Sequence, residues 1–171
     1  VTKNKINIVK ICVGAKFVEE LWFWQQEKLS KNSNANIVHV TRMRPRREKE
    51  LLNGGSIYWV FKGYILARQR ILSLDEVRTS DGVMKCSLVL DPDIYLTYPV
   101  KKRPFQGWRY LKEEDSPKDF EKFIPGNESF PKDLKLALSE LGIEYKRHSI
   151  GTETGDLETE EYKSLNPNSK I

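Results

Sequence analysis

Apolar and polar residues alternate over Ile6 to Cys12 (Ile-Asn-Ile-Val-Lys-Ile-Cys), the period-two pattern of a strand with one buried face. Gly14 breaks the pattern, and Lys16 to Leu29 changes period. Phe17, Val18, Leu21, Trp22, Gln25 and Leu29 recur at helical spacing there. Ser30 to Asn36 is a polar, turn-forming link. Ile37 to Met43 reads as a second strand. Pro45 is placed to open a short helix that runs to Leu52 and ends at Asn53-Gly54-Gly55. Ser56 to Phe61 is nearly continuous in strand formers, as expected of a central strand covered on both faces.

Lys62-Gly63 then turns the chain into a strand from Tyr64 to about Leu74. A two-residue loop would set Phe61 opposite Tyr64, Trp59 opposite Leu66 and Ile57 opposite Arg68. That register puts Arg68 and Arg70 on the face of Trp59, with Arg68 in cation–π reach of it. Ser80-Asp81-Gly82 marks a turn, and Met84 to Leu90 and Ile94 to Tyr98 are further strands. Ser116 to Phe123 reads as a short helix, Pro131 to Leu141 as a longer one, and Ile143 to Lys146 as an edge strand. Past His148 periodicity ceases, as in a mobile tail.

These elements predict an α+β fold over residues 1–148, followed by an acidic polar tail at 149–171. The stretch from Ser56 to Tyr98 has no room for crossover helices, which excludes a doubly wound parallel sheet. A curled antiparallel or mixed sheet with flanking helices remains, its limiting form a small β-barrel.

Composition narrows the function classes. The 171 residues contain no apolar run approaching the ~18 needed to cross a bilayer. Val1 to Lys5 is polar and lacks the pattern of a signal peptide, so a cytoplasmic protein without membrane partners is expected. Two cysteines and two histidines, none at metal-ligand spacing, imply no metal site, and nothing implies a cofactor. Cys12 and Cys86 are expected to be reduced, buried small hydrophobes. The sequence has no phosphate-cradling glycine loop, nucleophile elbow or helical His-Glu-x-x-His. The net charge of +5 is unevenly spread: residues 149–171 carry −3, leaving +8 on the first 148. A basic body attracts nucleic acid, nucleotides or acidic proteins.

Three segments could meet such an anion. Arg42, Arg44, Arg46 and Arg47 put four guanidiniums into six residues ahead of a helix, and guanidinium forks match phosphate geometry. Arg68, Gln69 and Arg70 are polar residues inside an apolar strand and need partners. Gly107 predicts a bend that presents Gln106, Trp108, Arg109 and Tyr110. His39 and Glu76 are the candidate acid–base groups, and neither has a partner at a fixed spacing.

Several stretches carry a resemblance: Lys-Ile-Cys-Val-Gly (10–14), His-Val-Thr-Arg-Met-Arg-Pro-Arg (39–46) and Gly-Gly-Ser-Ile-Tyr-Trp-Val-Phe-Lys-Gly (54–63). It continues in Ala-Arg-Gln-Arg-Ile-Leu (67–72), Cys-Ser-Leu-Val-Leu-Asp-Pro (86–92) and Arg-Pro-Phe-Gln-Gly-Trp-Arg-Tyr-Leu-Lys (103–112). In these the chain resembles a bacterial family known as domain of unknown function 1489, up to about Gly142. The resemblance implies a bacterial, cytoplasmic protein and transfers no catalytic or binding residue. A fold-level similarity to basic PUA-like barrels, many of which bind RNA, is an analogy. The leading expectation is therefore a non-catalytic RNA- or nucleotide-binding module. The alternatives are a small enzyme acting on a nucleotide or modified base, and an adaptor docking an acidic protein or its own tail.

Overall fold

The computed structural model describes residues 4–126 and 132–145. The strands are β1 (Ile6–Ile11), β2 (Ile37–Thr41), β3 (Ser56–Phe61), β4 (Tyr64–Arg78), β5 (Met84–Leu90), β6 (Tyr95–Lys101), β7 (Trp108–Lys112) and β8 (Asp119–Lys122). The helices are α1 (Val18–Lys31), α2 (Glu48–Leu51) and α3 (Lys132–Glu140). The eight strands form one sheet in the order β2-β5-β4-β3-β1-β7, with β6 pairing β4 and β8 pairing β6. Only β1 and β3 run parallel, so the sheet is mixed and the fold is α+β. No helix among the described residues is long and apolar enough to cross a membrane.

The sheet's inner face is covered by α1 and α3. Val18, Leu21 and Trp24 from α1 and Leu134 and Leu138 from α3 pack on Ile6, Ile8, Trp59, Phe61 and Leu88. A smaller cluster of Val9, Tyr58, Val60, Ile65 and Leu111 lies on the outer face, backed by Phe105. That division follows the alternation of β1, whose odd and even positions enter different clusters.

The sheet curls without closing into a barrel, because its end strands β2 and β7 do not pair. Side chains bridge them instead. The Trp108 indole Nε1–H donates to the carbonyl of Met43, just beyond β2, at 2.9 Å. The backbone N–H of Arg47 donates to the Tyr110 hydroxyl at 3.1 Å.

Three sequence expectations change. The hairpin starts as expected, Phe61 opposite Tyr64, but a bulge between Trp59 and Val60 leaves Leu66 without a partner on β3. Trp59 then faces Ala67, Tyr58 faces Arg68 and Ile57 faces Gln69. Leu66 and Ala67 both enter the main core, so Ala67 to Ile71 are flipped relative to a regular hairpin, until a second irregularity between Ile71 and Ser73 returns Leu74 to the core. Gln69, and neither Arg68 nor Arg70, shares the face of Trp59. The expected helix at Ser116–Phe123 is a strand, β8, that pairs the edge of β6. Eight residues with Pro117 among them make a poor isolated helix, and an open edge offers more hydrogen bonds. Residues 143–145 form no edge strand. Ile143 and Tyr145 are buried, and the Tyr145 hydroxyl donates to the Thr97 carbonyl at 2.9 Å. Lys146 and the acidic tail at 149–171 lie outside the described residues.

Candidate functional site

The seam between the sheet's end strands brings together two of the three candidate segments. β7 alternates: Trp108 and Tyr110 lie opposite Lys10 and Ile8 on the inner side, and Arg109 lies opposite Val9 on the outer side. Trp108 and Tyr110 meet edge to face, 4.9 Å apart at 74°. Their hydrogen bonds to Met43 and Arg47 pin the arginine segment, some sixty residues away in sequence, against the aromatic pair. The Arg47 guanidinium lies 5.4 Å from the centre of the Tyr110 ring, a cation–π contact.

Within that segment the four arginines differ. Pro45 is buried and precedes α2 instead of opening it, and α2 has four residues. Arg44 donates to both carboxylate oxygens of Glu48 at 3.1 Å, which raises its pKa. Arg47 pairs with Glu50. Arg42 and Arg46 are exposed, with no side-chain hydrogen bond or ion pair among the described residues. They are the segment's two cations ready for an external anion. Gln106 is exposed in the bend before β7, where Gly107 takes φ +69°, a conformation glycine adopts without steric cost.

Arg68 and Arg70 do not join this surface. The register sets Arg109, Val9, Tyr58, Arg68 and Tyr95 in one row across the outer face. Arg68 donates to Asp119 of β8 from Nε at 2.8 and 3.1 Å and from Nη2 at 2.5 Å. It also donates to the Ser56 hydroxyl at 3.1 Å and lies 4.7 Å from the Tyr95 ring centre. The cation–π partner expected from a regular hairpin was Trp59; the bulge exchanges it for Tyr95. Arg68 thus ties β3, β4, β6 and β8 together. Arg70 is exposed opposite Ser56, and Arg109 stacks over Phe105 at 5.5 Å.

The candidate acid–base groups are also separated in character. Glu76 is exposed near the end of β4, opposite Cys86. His39 is 8% exposed, with its ring edge to face against Trp59 at 5.3 Å. Both of its ring nitrogens are buried without a hydrogen-bond partner among the described residues. Burial, reinforced by the charges of Lys10 and Lys28, depresses its pKa to about 3. The imidazole is therefore neutral near pH 7, and no carboxylate among the described residues orients it.

That depression has a consequence for stability. Between the ordinary histidine value of ~6.5 and about 3, the unfolded chain binds the proton and the native chain does not. The contribution is fully present above the unfolded value and is lost as pH falls, at up to ~1.4 kcal/mol per pH unit. Urea unfolding of the protein and of His39→Phe at pH 7 and pH 5 checks this. The wild type should lose stability relative to the variant on acidification; equal losses would show that His39 titrates alike in both states.

Sequence reasoning assigned no role to Lys10 or Gln25 and marked Gln69 only as a polar strand residue in need of partners. Lys10 occupies the inner parity of β1 with Ile6, Ile8 and Cys12, a lysine where an apolar residue is expected. Gln25 and Gln69 form a reciprocal amide pair in the core, at 2.9 and 2.8 Å. Gln69 also accepts the Trp59 indole N–H at 3.0 Å and donates to the Asp91 carbonyl at 3.1 Å. Lys10 and Gln25 were visible as polar residues on apolar faces; the role of Gln69 depends on the bulge.

Comparison with known proteins gives one result. The model of a family described as "Protein of unknown function (DUF1489)" matches residues 8–144. No curated protein and no solved structure matches the chain.

Proposed function

The chain belongs to the DUF1489 family, and we propose that it binds single-stranded RNA, without catalysis, on the surface where Arg42–Arg47 meets Trp108 and Tyr110. The observation that supports this reading is the pair of bonds from Trp108 to Met43 and from Arg47 to Tyr110. They hold the backbone at Met43 and Arg47, the chain neighbours of the uncommitted Arg42 and Arg46, against two partly exposed aromatic rings. Single strands are bound by that combination, cations along the backbone and flat faces for unstacked bases. A duplex keeps its bases stacked and cannot use the rings.

Arg44 and Arg47, already paired with Glu48 and Glu50, shape the surface more than they neutralise phosphate. Arg42 and Arg46 carry the phosphate contacts, and Gln106 is exposed in the bend that leads into Trp108. The family assigns no activity, and the site has no oriented acid–base pair among the described residues. The reading is therefore one of recognition. The test is fluorescence anisotropy of an unstructured labelled oligoribonucleotide titrated with the full chain. Saturable binding that weakens as salt rises, and that a duplex of the same length fails to match, is the expected outcome. Equal affinity for duplex and single strand would remove the stacking half of the proposal.

A further inference from the structure

We propose that the interior of the seam holds a second site, in which Lys10, Lys28 and His39 bind an anion of the phosphate class. It stands on residues other than the exterior arginines and does not depend on the reading above.

The curl of the sheet builds this cluster. Lys10 of β1 has Trp59 as its register partner on one side and Trp108 on the other. His39 comes from β2, at the far end of the sheet, and lays its ring against the same Trp59. Lys28 lies in the last turn of α1, which packs beside β2, and its charge acts on the His39 ring. Two strands at opposite ends of the strand order and one helix thus deliver two ammonium groups and an imidazole to one region. Lys10 and Lys28 are each partly exposed, and Trp108 at the edge is only partly buried. The two lysines are therefore reachable from solvent, and the His39 nitrogens are buried.

Its chemistry is incomplete as it stands. Both nitrogens of His39 are buried without partners among the described residues, although leaving a buried polar group unpaired is costly. Lys10 has no hydrogen bond or ion pair among the described residues. Burial lowers the pKa of both lysines, and their charges act together on the imidazole. Like charges converging beside an unsatisfied donor favour an anion at their centre. A neutral imidazole supplies one N–H and each ammonium several more, from three directions. A tetrahedral oxyanion accepts from all three, whereas a planar carboxylate offers two oxygens in one plane. Phosphate, free or as the terminal group of a nucleotide, fits that donor set.

The experiment follows the His39 ring resonances of the full chain by NMR, assigned against His148→Gln, at constant ionic strength. Inorganic phosphate and a nucleoside 5′-monophosphate are the two probes, with the unphosphorylated nucleoside as control. Saturating movement of the His39 signals below roughly 10 mM phosphate, weakened about tenfold or more in Lys10→Met, is expected. Tighter binding of the monophosphate would identify a nucleotide terminus as the ligand, and equal binding the free anion. Signals that stay fixed through the titration, or that move equally in Lys10→Met, overturn the site. Lys10→Met replaces a half-buried ammonium with an apolar chain of similar length. Lys28→Met gives the same comparison should the first variant not fold.

Discussion

Replacing Gln69 with leucine is expected to destabilise the fold by about 3–5 kcal/mol, the largest effect of any single polar-to-apolar change in the core. Gln69 makes four hydrogen bonds with its amide: two with Gln25, one from the Trp59 indole and one to the Asp91 carbonyl. It and Gln25 are almost wholly buried, as is Trp59. Leucine fills the volume but strands the Gln25 amide, the indole N–H and the Asp91 carbonyl, each worth ~1–3 kcal/mol when left dry. Some of that loss is offset by the apolar surface leucine brings. Changing Gln25 to leucine as well should recover part of the loss, because one amide no longer seeks the other. Equilibrium urea unfolding of both singles and the double variant measures it. Additive losses would show that the two amides act independently, against the reciprocal pair.

Trp108→Ala should weaken binding of an unstructured oligoribonucleotide by roughly tenfold to a hundredfold, the equivalent of one lost base stack at ~1–3 kcal/mol. Two effects add. The indole face is lost to the bases, and its bond to the Met43 carbonyl no longer holds the arginine segment in place. Trp108→Phe separates them, since it retains a flat ring without the N–H. It should fall between the wild type and Trp108→Ala. Anisotropy titrations at one salt concentration make the comparison, with circular dichroism reporting that the fold persists. A Trp108→Ala protein that binds like the wild type would mean that no base stacks there.

How much of this was legible in the sequence depended on whether the deciding interaction was local. Lys62-Gly63 turns the chain with φ of +49° and +86°, and glycine at the second position marked the hairpin directly. The extra residue three positions later left no such mark. Leu66 suits a strand on either face, and the bulge is decided by which face the curled core needs filled. That shift moved Arg68 to the outer face and Gln69 into the core. β7 was read as a bend after Gly107, because Trp-Arg-Tyr-Leu-Lys becomes a strand only beside the free edge of β1. The arginine segment and Gln106–Tyr110 were each visible from composition. Their union was not, since two side chain-to-backbone bonds across the seam create it. Arg68 looked like its neighbours in sequence and proved to be a tie between strands, held by an Asp119 that had been read as helical.

The most direct test of the RNA-binding surface is the salt dependence of single-strand binding for the wild type and for Arg42→Ala with Arg46→Ala. Each phosphate contact to a single strand contributes ~0.7 to the slope of log K against log salt, so the double variant should lose about 1.4. The same charge removed as Arg70→Ala with Lys101→Ala, on β4 and β6 and outside the arginine segment, should leave the slope near that of the wild type. If the two double variants lose equal slope, or neither loses any, the protein does not read phosphates through Arg42 and Arg46.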